Sequence, residues 1–192
     1  MPALTAFVRE VLLPGSRDTR PRVDTSTCRF KLKPRRSSIH RWGIFAAEAI
    51  PARRRVIEYT GERITRDEAY RRRLRQHLYL FRCGQNRFID GAIGGGGAEY
   101  INHCCEPNLR AHVRKGRIFY VTLRPIRPGE ELLLDYQVGG DDLPRECRCG
   151  ARTCRGTLNR PDPPAQGGNA PARRSIAATA GAKPPRKSNA AK

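Results

Sequence analysis

Two stretches decide the fold: FIDGAIGGGGAEYINHCCEPN, residues 88–108, and GEELLLDY, residues 129–136. The first contains four consecutive glycines, Gly94–Gly97, which by themselves suggest a phosphate-binding loop. Such a loop needs a following Lys-Ser/Thr pair, and a dinucleotide site needs a G-x-G-x-x-G pattern; neither is present. We therefore interpret the glycines as a flexible lead-in to the INH segment, residues 101–103. The second stretch follows a turn at Pro128–Gly129 and predicts a strand, Glu131–Tyr136.

Outside these stretches, short strands dominate the pattern. Thr65 and Glu68 have the spacing of a capping box, which predicts the start of one helix. Runs of β-branched, aromatic and other apolar residues between turn signals predict strands at Ile44–Ala46, Val56–Tyr59, Leu78–Phe81, Arg87–Ile89, His112–Val113 and Ile118–Leu123. Many short strands with one helix predict an α+β protein, mostly β, built on small sheets.

The cysteines indicate a metal site. The chain has seven, an odd number that argues against a disulfide framework. Cys147, Cys149 and Cys154 follow the spacing C-x-C-x4-C, which can bring three thiolates to one zinc ion. The alternative is three surface thiols, but exposed thiols so close together would be prone to oxidation. A structural zinc takes a fourth ligand, and Cys105 is the best candidate, with the adjacent Cys104 as the less favoured choice.

The segments resemble, in order, the motifs of the SET-domain family of protein-lysine methyltransferases. HRWGIFA (40–46) resembles the motif that opens the cofactor site, and EYTGE (58–62) resembles the next strand. Residues 88–108 are similar to the central signature, usually written with INHSC, and residues 129–136 to the segment with the catalytic tyrosine. CRCGARTCRGTL (147–158) resembles the post-SET zinc segment. The shared order and spacing of five motifs identify the chain as a member of this family.

The resemblance implies a SET fold of several small curved sheets with a C-terminal pseudoknot, followed by a post-SET zinc loop. It places the SET domain at residues 27–137 and the post-SET zinc-binding segment at 138–160. Residues 1–26 are expected to form a flexible basic N-terminal extension. Residues 161–192 are rich in Pro, Ala, Gly and basic residues, with Ile176 as the one large apolar side chain. They are expected to form a disordered basic tail, because they cannot bury enough surface to offset their ordering entropy.

The resemblance also implies the roles of individual residues. Tyr136 matches the catalytic tyrosine, and Tyr79 matches a tyrosine that contacts both the cofactor region and the lysine channel. Asn102 and His103 match the pair that binds S-adenosylmethionine, and Arg41 and Trp42 match loop positions that contact its methionine part. Each also has a plain structural interpretation. An aromatic side chain or a buried histidine can simply belong to the core.

Three positions depart from the family pattern. Cys104 stands where the family usually has Ser, and Glu99 stands where a basic residue is common, which we expect to change the surface near the cofactor. Leu134 stands where Phe or Tyr is usual, two residues before Tyr136. The family position influences how many methyl groups the lysine receives, so Leu134 leaves the number of methyl groups open.

The formal net charge is +20, from 38 Lys and Arg against 18 Asp and Glu. Such an excess favours contact with polyanions, and we expect nucleic acid to bind through the basic flanks. Six basic residues stand against one acidic residue in 161–192. No apolar run approaches the roughly 20 residues of a membrane helix, so no membrane span is expected. A monomer inside the cell is expected, in the cytoplasm or nucleoid if bacterial and in the nucleus on chromatin if eukaryotic.

Two functions of different classes remain open. The first is an enzyme that transfers a methyl group from S-adenosylmethionine to the ε-amine of a lysine in a protein, such as a histone or another DNA-associated protein. The second is a catalytically inactive, zinc-stapled nucleic-acid or chromatin adaptor. Retention of Tyr136, Asn102 and His103 favours the enzyme, because an adaptor needs no cofactor pocket.

Overall fold

The structure, a computed structural model, describes residues 20–73, 79–139 and 145–160. The expectations for residues 1–19 and for the tail at 161–192 lie outside these residues. Two short 3-10 turns, Thr25–Thr27 and Ala98–Tyr100, accompany the regular elements. In chain order, those elements are β1 (Leu32–Arg36), β2 (Trp42–Ala46), β3 (Arg55–Tyr59), β4 (Glu62–Thr65), α1 (Arg66–Arg73), β5 (Leu80–Gly84), β6 (Arg87–Asp90), β7 (Asn102–His103), β8 (Leu109–Arg114), β9 (Arg117–Thr122) and β10 (Leu133–Leu134).

The strands form three small sheets within the described residues. β1 and β2 make an antiparallel pair, β4, β6 and β5 make a three-stranded sheet, and five strands follow the order β3-β9-β8-β10-β7. Buried Ile, Leu, Val and Tyr side chains from all three sheets share one core. The prediction of a mostly β protein built on small sheets is therefore confirmed.

β10 joins the two stretches quoted at the outset. It runs parallel to β7, with Leu133 opposite Asn102 and Leu134 opposite His103. The strand predicted over Glu131–Tyr136 is shorter than expected, because the backbone amides at its two ends donate hydrogen bonds to groups outside the pairing with β7 and β8. The amide of Leu132 donates to the carbonyl of Ile44 (2.8 Å), and the amide of Tyr136 donates to His103 Nδ1 (3.1 Å).

The single described α-helix begins where the capping box predicts it. The amide of Glu68 donates to Thr65 Oγ1 at 3.3 Å. The guanidinium of Arg72 then donates to carboxylates of Glu62, Glu68 and Asp90 at 2.6–2.7 Å, which fastens α1 to the three-stranded sheet. No helix among the described residues is long and apolar enough to cross a membrane.

The glycine run is covered by the chain that precedes β1. The amide of Asp24 donates to the carbonyl of Gly96 at 3.0 Å, and Val23 lies against Gly97. Gly96 and Gly97 are buried, and Gly97 has a φ of 109°, which favours glycine. This half of the run is a packed turn, although its sequence suggests a flexible lead-in.

Candidate active site and cysteine cluster

A cavity of about 800 Å³ lies between the three-stranded and five-stranded sheets, and its lining combines tyrosines with apolar and charged side chains. Tyr79 and Tyr136, both predicted as site residues, line it together with Tyr59 and Tyr120. Leu134 also lines the cavity, as its position two residues before Tyr136 suggests. The cavity therefore brings together the two residues that the family resemblance assigns to catalysis.

Tyr136 is fixed by the segment on the neighbouring strand. Its hydroxyl donates to the carbonyl of Ile101 at 2.8 Å, and its ring meets the ring of His103 edge-on at 5.4 Å. Burial, followed by the charge of Glu131, raises the pKa of Tyr136, so the phenol stays protonated at neutral pH. Tyr136 therefore presents a neutral, oriented hydroxyl.

Tyr79 lies where the chain enters β5. Its carbonyl accepts hydrogen bonds from the Tyr59 hydroxyl (2.6 Å) and the Gly91 amide (2.9 Å). Burial raises its pKa, and the neighbouring Tyr136 raises it further. Both tyrosines are thus neutral at ordinary pH and line the same cavity.

Asn102 fixes the loop that leads into β2. Its Nδ2 donates to the carbonyls of His40 (3.3 Å) and Trp42 (3.0 Å) and to Glu131 Oε1 (2.9 Å). A Cβ on Gly43 would overlap Glu131 and crowd Asn102, so only glycine lets the loop approach this closely. The loop backbone is therefore held in one place by a buried amide.

Arg41 and Trp42 stand on this loop. Arg41 is exposed and has a φ of 39°, in the left-handed region. Trp42 is half-buried against the core, with the guanidinium of Arg36 4.5 Å from its ring centre. Neither residue lines the cavity, and neither do Asn102 and His103. These four residues form a second group beside it, joined to the cavity through Tyr136.

His103 connects Tyr136 to the cysteines. Its Nδ1 accepts the Tyr136 amide, so in the neutral ring Nε2 carries the hydrogen and points at Cys105 Sγ, 3.4 Å away. Burial lowers the pKa of His103, although Asp135 opposes this effect, so the neutral form is favoured.

Four cysteines meet at the other side of His103. The Sγ atoms of Cys105, Cys147, Cys149 and Cys154 all lie within 4.8 Å of one another. Cys105 Sγ is 3.8 Å from Cys147 Sγ and 4.0 Å from Cys154 Sγ. A tetrahedral zinc with bonds of about 2.3 Å requires sulfur separations of about 3.8 Å, so the cluster fits such an ion. Cys104 is buried outside this group, in line with the preference for Cys105.

Backbone amides also favour thiolates in the cluster. The amides of Cys105, Arg155 and Gly156 each donate to a cluster sulfur at 3.4 Å. Burial acts to raise the pKa of Cys149, but hydrogen bonds from the Cys105 and Ala151 amides and with the Cys147 and Cys154 side chains together lower it to about 6. Amide donors of this kind stabilise the deprotonated sulfur that a metal needs.

A bidentate ion pair joins the cysteine segment to the active site. Arg155 Nη1 and Nη2 each donate to one carboxylate oxygen of Asp135 at 2.9 Å. Asp135 directly precedes Tyr136, and Arg155 directly follows Cys154. The amide of Val138 also donates to the carbonyl of Leu158 at 3.1 Å, and Val138 and Arg160 line the cavity. Residues 145–160 therefore form part of the cavity wall.

Several important residues escape prediction from the sequence. Glu99, expected at the surface, is only 5% exposed and lines the cavity, where burial raises its pKa to about 7. Glu131 orients Asn102, and Tyr59 and Tyr120 line the cavity. Tyr59 and Tyr120 lie on β3 and β9, two strands that the apolar runs predict. No local sequence pattern indicates that Glu99 is buried or that Glu131 orients Asn102.

Comparison with known proteins gives a consistent result. The family model of the SET domain matches residues 41–137. The "Histone-lysine N-methyltransferase, H3 lysine-4 specific" of Saccharomyces cerevisiae is 42% identical over 137 residues, which cover 65% of this chain and 13% of that protein. The human "Histone-lysine N-methyltransferase SETD1A" is 39% identical over 139 residues, covering 67% of this chain and 8% of that one. The chain thus spans roughly a tenth of these relatives.

Solved structures share the fold. The crystal structure of KRYPTONITE in complex with mCHG DNA and SAH superposes with a TM-score of 0.59 at 30% identity, covering 68% of this chain and 29% of that one. An active polycomb repressive complex 2 in the stimulated state contains a chain with a TM-score of 0.53 at 33% identity, covering 56% of this chain and 15% of that one. The motifs, the three sheets and the match over residues 41–137 lead to one conclusion: the chain belongs to the SET domain family.

Proposed function

We propose that the chain is a protein-lysine N-methyltransferase that takes its methyl group from S-adenosylmethionine. The observation that carries the proposal is the cavity that both Tyr79 and Tyr136 line. Relatives named as histone-lysine methyltransferases, and a structural neighbour crystallised with SAH, support this activity.

The residues beside the cavity suit S-adenosylmethionine. Arg41, Trp42, Asn102, His103 and Tyr79 would hold it, because the loop at 40–43 is fixed by the Asn102 amide and packed closely through Gly43. When bound, S-adenosylmethionine supplies an electrophilic methyl group on a sulfonium.

The tyrosines prepare the lysine. A free lysine amine has a pKa of about 10.4, so its protonated form must lose a proton before it can attack. Aromatic and aliphatic side chains in the cavity wall partly desolvate a bound amine, and desolvation favours its neutral form. The Tyr136 hydrogen is committed to the Ile101 carbonyl, so its oxygen lone pairs are free to orient the amine. Positioning of this kind can lower a barrier by about 7–11 kcal/mol.

We infer that Cys105, Cys147, Cys149 and Cys154 bind one structural Zn²⁺. Three of these ligands lie on residues 145–160, which supply part of the cavity wall. The ion would fix this segment against β7, and the Arg155–Asp135 pair would extend that constraint to Tyr136. We place the SET domain at residues 27–137 and the post-SET segment at 138–160 on this basis.

The substrate we propose is a protein with an accessible lysine, a histone or another DNA-associated protein. The relatives named above come from eukaryotes, which supports a location on chromatin rather than in a bacterial cytoplasm or nucleoid. We further propose that the chain acts as a monomer and contacts nucleic acid through its basic flanks.

Tyr136→Phe tests the enzyme. The variant removes one hydroxyl and keeps the ring, so S-adenosylmethionine affinity should stay within about twofold. The single-turnover rate should fall about 100-fold or more, the cost of losing one positioned polar group in comparable sites. Tyr100→Phe is the matched control, because Tyr100 is a buried tyrosine that does not line the cavity. Labelled cofactor and mass spectrometry identify the methylated substrate.

The outcomes separate the two functions. If the Tyr136→Phe variant methylates at the parental rate, Tyr136 is not a catalytic residue. If the parental chain binds no S-adenosylmethionine in a calorimetric titration, the enzyme hypothesis is rejected in favour of the adaptor hypothesis.

A further inference from the structure

The outer face of β3, β9 and β8 carries a group of basic side chains, most of them exposed. Side chains alternate between the two faces of a strand. In β8, Leu109 points into the core, while Arg110, His112 and Arg114 are exposed. We call the surface formed by these residues and their cross-strand neighbours the arginine face.

The register places further arginines on the same face. Arg114 pairs with Arg117, Arg110 pairs with Val121, and Val121 pairs in turn with Arg55. Phe119 lies among them and is 7% exposed, because the Arg55 guanidinium lies 3.5 Å and the Arg117 guanidinium 5.1 Å from its ring centre. The arginines therefore cover the one aromatic ring and present their charges to solvent.

Little negative charge compensates this face. Glu58 is the carboxylate that reaches it, and it pairs with Arg55 (3.5 Å) and Arg117. Arg110 and Arg114 have no carboxylate within 4.0 Å in the part of the chain that the structure describes. Burial, and then the charges of Arg29 and Arg117, act to lower the pKa of Arg55 against the effect of Glu58. Like charges opposite each other in a sheet are destabilising, as with Arg114 and Arg117.

A polyanion of regular spacing would relieve this repulsion. Arg110 and Arg114 are four residues apart on one strand, a separation of about 14 Å. One DNA strand carries a phosphate about every 3.4 Å along the helix axis, so the face spans about four nucleotide steps. Guanidinium groups match phosphate oxygens in a two-pronged geometry. A basic, histone-like protein would be repelled by this face, so nucleic acid is the partner that its charge fits.

We propose that the arginine face binds the phosphate backbone of nucleic acid, through Arg110 and Arg114 with Arg55 and Arg117 beside them. This site lies on the folded body and is separate from the basic flanks. Arg110 also lines the cavity, but no residue of the cysteine cluster or of the loop at 40–43 takes part, and DNA binding is measured without S-adenosylmethionine, so the readout does not depend on methyl transfer. It would bring the cavity to a lysine on a protein that is already bound to DNA.

The test measures binding of the full chain to a fluorescent duplex of about 20 base pairs by anisotropy across salt concentrations around 0.1 M. The variant combines Arg110→Gln with Arg114→Gln. The control combines Lys33→Gln with Arg127→Gln, which removes the same charge from exposed positions outside the arginine face. The variant and the control both retain the basic flanks, so any contribution of the flanks to DNA binding is the same in these two proteins and in the parent.

We expect the Arg110/Arg114 variant to bind about tenfold more weakly and the slope of log K against log salt to shrink by about 2, one contact for each arginine. The control should stay within about twofold of the parent. Arg114→Gln alone should shrink the slope by about 1, which keeps the test usable if thermal unfolding shows that the double variant is misfolded.

Equal losses in variant and control would overturn the proposal, since they would reflect net charge alone. Tighter binding to a polyglutamate of matched charge than to the duplex would overturn it in favour of an acidic protein. A chain that does not transfer methyl groups would give the same DNA-binding results, so the proposed enzyme activity and the proposed DNA-binding face can be refuted independently.

Discussion

Glu99→Gln gives a quantitative test of the cavity. Glu99 is 5% exposed, and its Oε2 accepts the Gly97 amide at 2.8 Å. The ionisable groups that interact with it are the hydroxyls of Tyr59, Tyr79 and Tyr120. No cation lies within 4.0 Å of its carboxylate among the described residues. Burial therefore raises its pKa from 4.5 to about 7, although the amides of Gly97 and Glu99 itself act in the opposite direction.

The sign of the effect follows from the raised pKa. The folded protein binds the proton more tightly than the unfolded chain, so the contribution of Glu99 to stability is fully present below about pH 4.5 and is lost as the pH rises through about 7. The change in pKa corresponds to about 3 kcal/mol at about pH 8, since each tenfold change in proton affinity is about 1.4 kcal/mol. Gln keeps an oxygen for the Gly97 amide and never ionises.

Denaturant unfolding of the parent and of Glu99→Gln at about pH 5 and pH 8 measures this difference. The variant should be more stable by about 1 kcal/mol at the lower pH and by about 3 kcal/mol at the higher pH. Protonation of the cysteines affects both proteins equally and cancels. A difference that is the same at both pH values, or a variant less stable at pH 8, would refute the placement of an uncompensated carboxyl in this cavity.

Three further substitutions test other parts of the site. Cys149→Ser should reduce the zinc content from about one ion per chain and lower the unfolding temperature, and metal analysis that finds no zinc in the parent contradicts the cluster. Gly95→Ala should cost about 1–3 kcal/mol in denaturant unfolding, because its Cβ would overlap the Gly91 carbonyl and crowd Glu99. Asn102→Ala should weaken S-adenosylmethionine binding about tenfold by calorimetry, because buried acceptors, including Glu131, lose their donor; unchanged affinity would place the loop at 40–43 outside the binding site.

Local signals account for the parts of the fold that were predicted. The capping box at Thr65 and Glu68 marks the start of α1, and the alternation of Ile118 and Tyr120 marks β9. The three close cysteines indicate a metal because few other arrangements of thiols are chemically stable at such spacing. These features depend on residues a few positions apart.

The remaining parts depend on contacts between distant residues. Whether the chain around Leu133 forms a long strand is decided by Ile44 and His103, which take the hydrogen bonds of its neighbours. The burial of Glu99 depends on the packing of Val23 and Asp24 over the glycine run, about 70 residues away in sequence. The arginine face appears only when the registers of β8 with β9 and of β9 with β3 are known. No local pattern contains this information.

The Arg155–Asp135 pair sets the boundary at which this protein can be divided. The family match stops at residue 137, yet a chain cut there would leave Asp135 without a guanidinium and Cys105 without three sulfur neighbours. It would also remove Arg160 from the cavity wall and leave the Val138 amide without the Leu158 carbonyl. The smallest transplantable unit therefore extends at least to residue 160, and any chimaera that exchanges the segment after Tyr136 must exchange Asp135 with it.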